Sequence, residues 1–166
     1  MDNNFTRDCP DVHLDDEAAT LQLGGGLANA IKPGLVLYLH GDLGAGKTTL
    51  VRGLVHALGY AGKVKSPTYT LVENYTIVQP PFNLYHFDLY RFNDDEEWEA
   101  AGFRDYFNTE SVCLIEWPEK AENVLPLPDI NITFTILAAG RKVTLDAPTD
   151  KGRKCLAQVM KEISSR

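Results

Sequence analysis

"GDLGAGKTTL", residues 41–50, puts three glycines, one lysine and two threonines into ten positions. Glycines let successive backbone N–H groups converge on one point, where a Cβ would stand in the way. Helix-forming residues follow from Lys47, so a helix N-terminus aims its positive dipole end at the same point. Gly41-Asp42-Leu43-Gly44-Ala45-Gly46-Lys47-Thr48 matches G-x-x-x-x-G-K-[ST] at every fixed position. The match predicts a phosphate-binding loop. Leu43, Gly44, Ala45 and Gly46 form its backbone cradle, Lys47 brings a mobile charge to the β- and γ-phosphates, and the Thr48 hydroxyl coordinates Mg²⁺.

That reading requires a strand before the loop and a helix after it. "LVLYLHG", 35–41, is a short apolar run ending in glycine and predicts a buried strand. After Lys47 the period changes. Leu50, Val51, Leu54, Val55 and Leu58 share one helical face, with Gly59 as the cap.

Farther out, residues 1 to about 14 read as an extended entry segment. "LDDEAATLQLGGGLANAI", 14–31, reads as a helix with Asp15, Asp16 and Glu17 in its first turn. Its triple glycine opposes this, at ~1 kcal/mol per glycine relative to alanine. Ser66-Pro67 breaks the backbone before a run of β-formers. A second strand is predicted at 84–90, a helix opens near Asp94 or Asp95 in "DDEEWEAAGFRDYF", and "SVCLIE", 111–116, is a strand apolar on both faces. "DINITFTIL" and "RKVTLDAP" predict a hairpin turning at 138–140, and a final helix carries Leu156, Val159, Met160 and Ile163 on one face. The predicted fold is α/β: a P-loop NTPase-like three-layer arrangement with a mostly parallel sheet and an added antiparallel hairpin, one domain over 1–166.

Composition narrows the function. Net charge is −7 with 44% hydrophobic residues, which disfavours tight, independent nucleic-acid binding. Lys63 with Lys65, and Lys151 with Arg153 and Lys154, read as solvated surface charge. No run of ~18 apolar residues predicts a membrane span, and "MDNNFTRDCP" lacks the features of a secretory leader. Three widely spaced cysteines fit neither a disulfide nor a zinc site, and Cys113 reads as a small buried hydrophobe. A reduced, cytoplasmic setting is expected. No Asn/Thr-Lys-x-Asp segment marks guanine, so ATP is the expected nucleotide.

A phosphate loop needs an acid at a strand end to hold Mg²⁺. Glu116 and Asp88 both qualify, one binding metal and the other orienting water or supporting the metal, with the roles exchangeable. Thr68 and Thr70 lie where a loop that senses the γ-phosphate would sit. His86 and the other histidines read as structural, and Trp98 and Trp117 as core or interface aromatics.

"GDLGAGKTTLVRG", "VKSPTYTLVENY", "YHFDLYR" and "LIEWPE", in this order and spacing, closely resemble the TsaE family over residues 15 to 147. The resemblance implies a small cytoplasmic ATPase that joins TsaB and TsaD. In that system TsaD places a threonylcarbamoyl group on a tRNA adenosine, and the ATPase resets the machine between turnovers. tRNA is then met through the complex, with a monomer favoured for the chain alone. The resemblance puts Lys47, Thr48 and Thr49 in the family's phosphate loop, Thr68 in its switch-like segment, and Asp88 and Glu116 at its two acids. It makes Glu116 the Mg²⁺ ligand, matches Trp117 to the neighbouring tryptophan, and sets Glu17 and the Gly140-Arg141 turn beside the adenosine. "QPPFN" and the tail after Pro148 depart from the family pattern.

Two other readings compete. An adenylate-kinase-type small-molecule kinase would need several arginines converging on two phosphates, whereas the seven here are scattered. A non-hydrolysing nucleotide sensor would need no pair of acids.

Overall fold

The structure, a computed structural model, describes residues 9–164. Most of the predicted entry segment, residues 1–8, lies outside the described residues, and its last part, Asp11–Leu14, is strand β1. There follow α1 (Glu17–Ala30), β2 (Val36–His40), α2 (Lys47–Ala57), β3 (Val72–Ile77), β4 (Phe82–Asp88), α3 (Asp95–Ala100), β5 (Ser111–Glu116), β6 (Ile130–Ile136), β7 (Arg141–Asp146) and α4 (Asp150–Ser164). Among the described residues no helix is long and apolar enough to cross a membrane.

The strands form one sheet in the order β1-β7-β6-β2-β5-β4-β3. Its centre, β6-β2-β5-β4, is parallel, and β7, β1 and β3 add antiparallel pairings at the two edges. The sheet is therefore mixed rather than mostly parallel. The late hairpin is present as expected, turning between Ile136 and Arg141. The added antiparallel edges come from β1, four residues too short to show a period, and from β3, which doubles back beside β4.

The two-residue period of the strands sorts side chains onto two faces. Leu37, Leu39, Leu84, Val112 and Leu114 join a core with α1, α2 and α4 residues such as Leu27, Leu54 and Val159. Phe87, Cys113 and Ile115 face the other way, onto Trp98 and Phe103. Cys113 is buried as expected, and burial pushes its thiol up to about 12. The helix predicted to open near Asp94 or Asp95 starts at Asp95, capped by Asp94, whose carboxylate accepts from Glu96 N at 2.9 Å. It stops after one and a half turns because Gly102 takes a left-handed φ of 71°. Strand β4 ends two residues earlier than predicted, since the Asp88 carboxylate accepts from Tyr90 N at 3.0 Å and turns the chain.

The first glycine of the α1 triplet, Gly24, has a packing reason. A Cβ on Gly24 would lie 2.4 Å from Leu50 O, and one on Gly53 would lie 2.5 Å from Leu21 O. The backbones of α1 and α2 touch there, so helix propensity yields to close approach. Gly25 differs, because its Cβ would meet Ala57 Cβ at 3.9 Å, an ordinary contact. Gly24→Val is expected to destabilise by ~3 kcal/mol or more, while Gly25→Ala stays neutral or gains up to ~1 kcal/mol. Denaturant unfolding of the two variants checks this, and equal midpoints would refute the close-contact account.

Candidate functional site

The sheet period builds the site. His86 and Asp88 on β4, and Glu116 on β5, continue the rows that face α2. Asp88 and Glu116 are direct partners in the parallel register, so two acids end neighbouring strands side by side. The loop between β2 and α2 comes down over them. Gly44 and Gly46 hold φ of 77° and 116°, which an L side chain would resist. α2 begins with Gly46 as its cap and no side-chain cap hydrogen bond, so its first amides face the cleft without side-chain competition.

Side chains then converge. Thr48 Oγ1 donates to Glu116 Oε2 at 3.1 Å. His86 Nε2 sits 2.6 Å from the same oxygen and is the donor, because a carboxylate only accepts. Ser66 donates to Asp88, and Thr68 donates to Ser66 at 3.3 Å, so the switch-like segment is tied to the second acid. Lys47 donates to Gly41 O and rests 3.8 Å from the centre of the Trp117 ring. Burial holds the Lys47 amine below the usual lysine range, while Glu116, Asp88, Glu119 and Asp42 pull it back up. Lys47, His86, Asp88 and Glu116 are each at most 5% exposed.

Leu43 through Thr49, Ser66, Thr68, Asp88, Glu116 and Trp117 line one cleft of about 430 Å³. A second hollow of about 280 Å³ lies against the same loop and is lined by Glu17, Thr49, Gly140 and Arg141. Every candidate residue named from the sequence except Thr70 borders one of two adjoining spaces. Within the second, Glu17 pairs with Arg52. Arg141 turns to the loop, donating to Ala45 O at 3.2 Å and Gly44 O at 3.4 Å. Thr70 lies outside the cleft lining and donates to Val72 O at 3.4 Å.

Three residues take on more in the structure than expected. His86, expected to be structural, touches Glu116. The signal was present in the alternation that puts His86 and Asp88 on one face. Trp117 packs against the core as expected and also borders the cleft, with a left-handed φ of 59°, while Trp98 is fully buried as expected. Arg91, one scattered arginine among others in the sequence, lines the cleft with its guanidinium 5.0 Å from the Tyr69 ring.

The loop amides suit phosphate oxygens, and the adjoining Thr48 hydroxyl and Glu116 carboxylate suit a hard cation. Among the described residues no cluster of three or more His, Cys, Asp or Glu is placed to hold a metal. A cation here would complete its shell with ligand oxygens and water.

Comparison with known proteins gives the family. The family model described as threonylcarbamoyl adenosine biosynthesis protein TsaE matches residues 14–143. A tRNA threonylcarbamoyladenosine biosynthesis protein TsaE of Haemophilus influenzae is 45% identical over 150 residues, spanning 87% of this chain and 94% of the relative. One of the same name from Bacillus subtilis is 44% identical over 103 residues, 62% of this chain and 63% of the relative. The crystal structure of Bacillus subtilis YdiB superposes with a TM-score of 0.80 at 28% identity, covering 96% of this chain and 99% of that one. With the family model spanning most of its length, the chain belongs to the TsaE family.

Proposed function

We propose that the chain is an ATP-binding, slowly hydrolysing subunit in the formation of N6-threonylcarbamoyladenosine in tRNA, with a P-loop NTPase-like fold in one cytoplasmic domain. It supports TsaB–TsaD and resets that pair between turnovers, meeting tRNA through the complex. The observation carrying this reading is the meeting of Thr48 and Glu116, 3.1 Å apart, directly below the uncapped start of α2.

Each residue takes a part. Amides of Gly44, Ala45, Gly46 and Lys47 bind phosphate oxygens, with Leu43 and Thr49 flanking them. Lys47 leaves the Trp117 face to reach the β- and γ-phosphates. Thr48 and Glu116 hold Mg²⁺, which when bound neutralises charge on the phosphate oxygens. Asp88 orients the attacking water, and Thr68, linked to it through Ser66, reads the γ-phosphate. Glu17, Gly140 and Arg141 border the adenosine side, where Arg141 holds the loop carbonyls. The net charge of −7 suits a protein that acts on a partner complex rather than gripping tRNA itself.

Arginine supply favours this over a kinase. Among the described residues, Arg52, Arg104 and Arg153 are paired with Glu17, Glu99 and Asp150, Arg141 braces the loop, and Arg91 lines the phosphate-side cleft. One arginine cannot clamp two substrates' phosphates. Isolated protein should release phosphate slowly, and TsaB–TsaD should accelerate it severalfold or more. Equal steady-state rates with and without the pair would overturn the proposal.

A further inference from the structure

His86 is fully buried on the α2 side of β4, opposite Leu114 of β5 and in one row with Leu84. Leucine would suit that row at lower cost, since burying a polar ring is unfavourable unless its nitrogens are bonded. Only half of the ring is satisfied. Nε2 is committed to Glu116 Oε2 at 2.6 Å, and Nδ1 has no hydrogen-bond partner among the described residues. Packing alone does not account for an imidazole here. What the ring does is fix a carboxylate. Glu116 Oε2 receives both His86 and Thr48, while Oε1 meets Thr48 at 3.4 Å. With Oε2 held from behind by His86, the carboxylate cannot swing away from Thr48 without leaving a buried donor unpaired.

We propose that His86 is a positioning residue: its Nε2–H holds the Glu116 carboxylate against Thr48 and so sets the geometry offered to the divalent cation that accompanies the nucleotide. The inference rests on the reading that Thr48 and Glu116 hold Mg²⁺. A donor that orients a metal ligand from behind is typically worth ~10–100-fold in metal affinity. His86 itself stays away from cation and phosphate, so binding of ATP without the cation does not depend on it.

The test is calorimetric titration of ATP into full-length protein, at a series of free Mg²⁺ concentrations and in EDTA. His86→Leu keeps a buried apolar side chain but removes the donor. It should raise the Mg²⁺ midpoint for tight ATP binding by ~10–100-fold and leave affinity in EDTA unchanged. His86→Gln, whose amide nitrogen reaches the place of Nε2, should recover most of the loss. His86→Asn, whose amide stops at the place of Nδ1, should not. Should His86→Leu fail to fold, the Gln–Asn contrast decides alone. An unshifted Mg²⁺ midpoint, an equal loss in EDTA, or Gln and Asn behaving alike would each overturn the positioning role. Absence of ATP binding by the wild-type protein would instead remove the nucleotide reading, and the positioning role with it.

Discussion

Lys47→Ala should lose the protein's function in cells: tRNA from cells depleted of the native protein should regain its threonylcarbamoyl modification with wild type but not with this variant. The reason is local. Lys47 is the loop's one side-chain cation, and it is already buried at the cleft wall against Trp117. A hydrogen bond between charged partners contributes ~1.5–3 kcal/mol, so ATP affinity should fall ~10- to 100-fold. Hydrolysis should fall further, by ~10²–10³, because the amine's interaction strengthens as charge moves onto the leaving oxygens. Alanine removes a buried amine, so melting of the variant should be unchanged or raised. Mass spectrometry of tRNA nucleosides from complemented cells reads the outcome, and full restoration by Lys47→Ala would show that nucleotide capture is dispensable.

Glu116→Ala should be nearly as damaging to hydrolysis and worse for stability. Removing it takes away the carboxylate proposed for Mg²⁺, with an expected ~10²–10³ drop in phosphate release. It also strands the buried His86 Nε2–H, which has Glu116 as its acceptor. An unsatisfied buried donor costs ~1–3 kcal/mol, so the melting midpoint should fall by several degrees. Glu116→Gln separates the two effects. Its amide oxygen can still accept from His86, so stability should largely return while hydrolysis stays low. If Glu116→Ala hydrolysed ATP at the wild-type rate, Asp88 would have to be the metal ligand and the roles would exchange.

Much of this site was legible in the sequence because its strongest parts are local. The glycine-rich loop proposed to bind phosphate is eight contiguous residues, and its glycine pattern dictates backbone shape without help from the rest of the chain. Glu116 stood out as a charge closing an apolar run, and the structure places it at the end of a strand buried on both faces. What escaped notice depends on pairing between distant segments. A lone histidine in an apolar row looks like core filling until the register sets β4 against β5 and brings Glu116 within reach. Residues 11–14 read as extended, and only their pairing in the sheet escaped, for the same reason. Four residues show no periodicity, and their partner is β7, where Asp11 faces Thr144, 133 positions away in sequence. The triple glycine argued against a helix on propensity, and close backbone contact with α2 at Gly24 explains one of the three.

In that fit between α1 and α2, two main chains in direct touch have no rotamers to relax, so the helix carrying the loop and the helix that opens at Glu17 are packed backbone to backbone. The facing segment, residues 66–70, hangs from Asp88 by hydroxyls and ends in the solvent-facing ring of Tyr69. A relay of two hydroxyls from Asp88 thereby joins the segment that carries Tyr69 to the floor of the cleft.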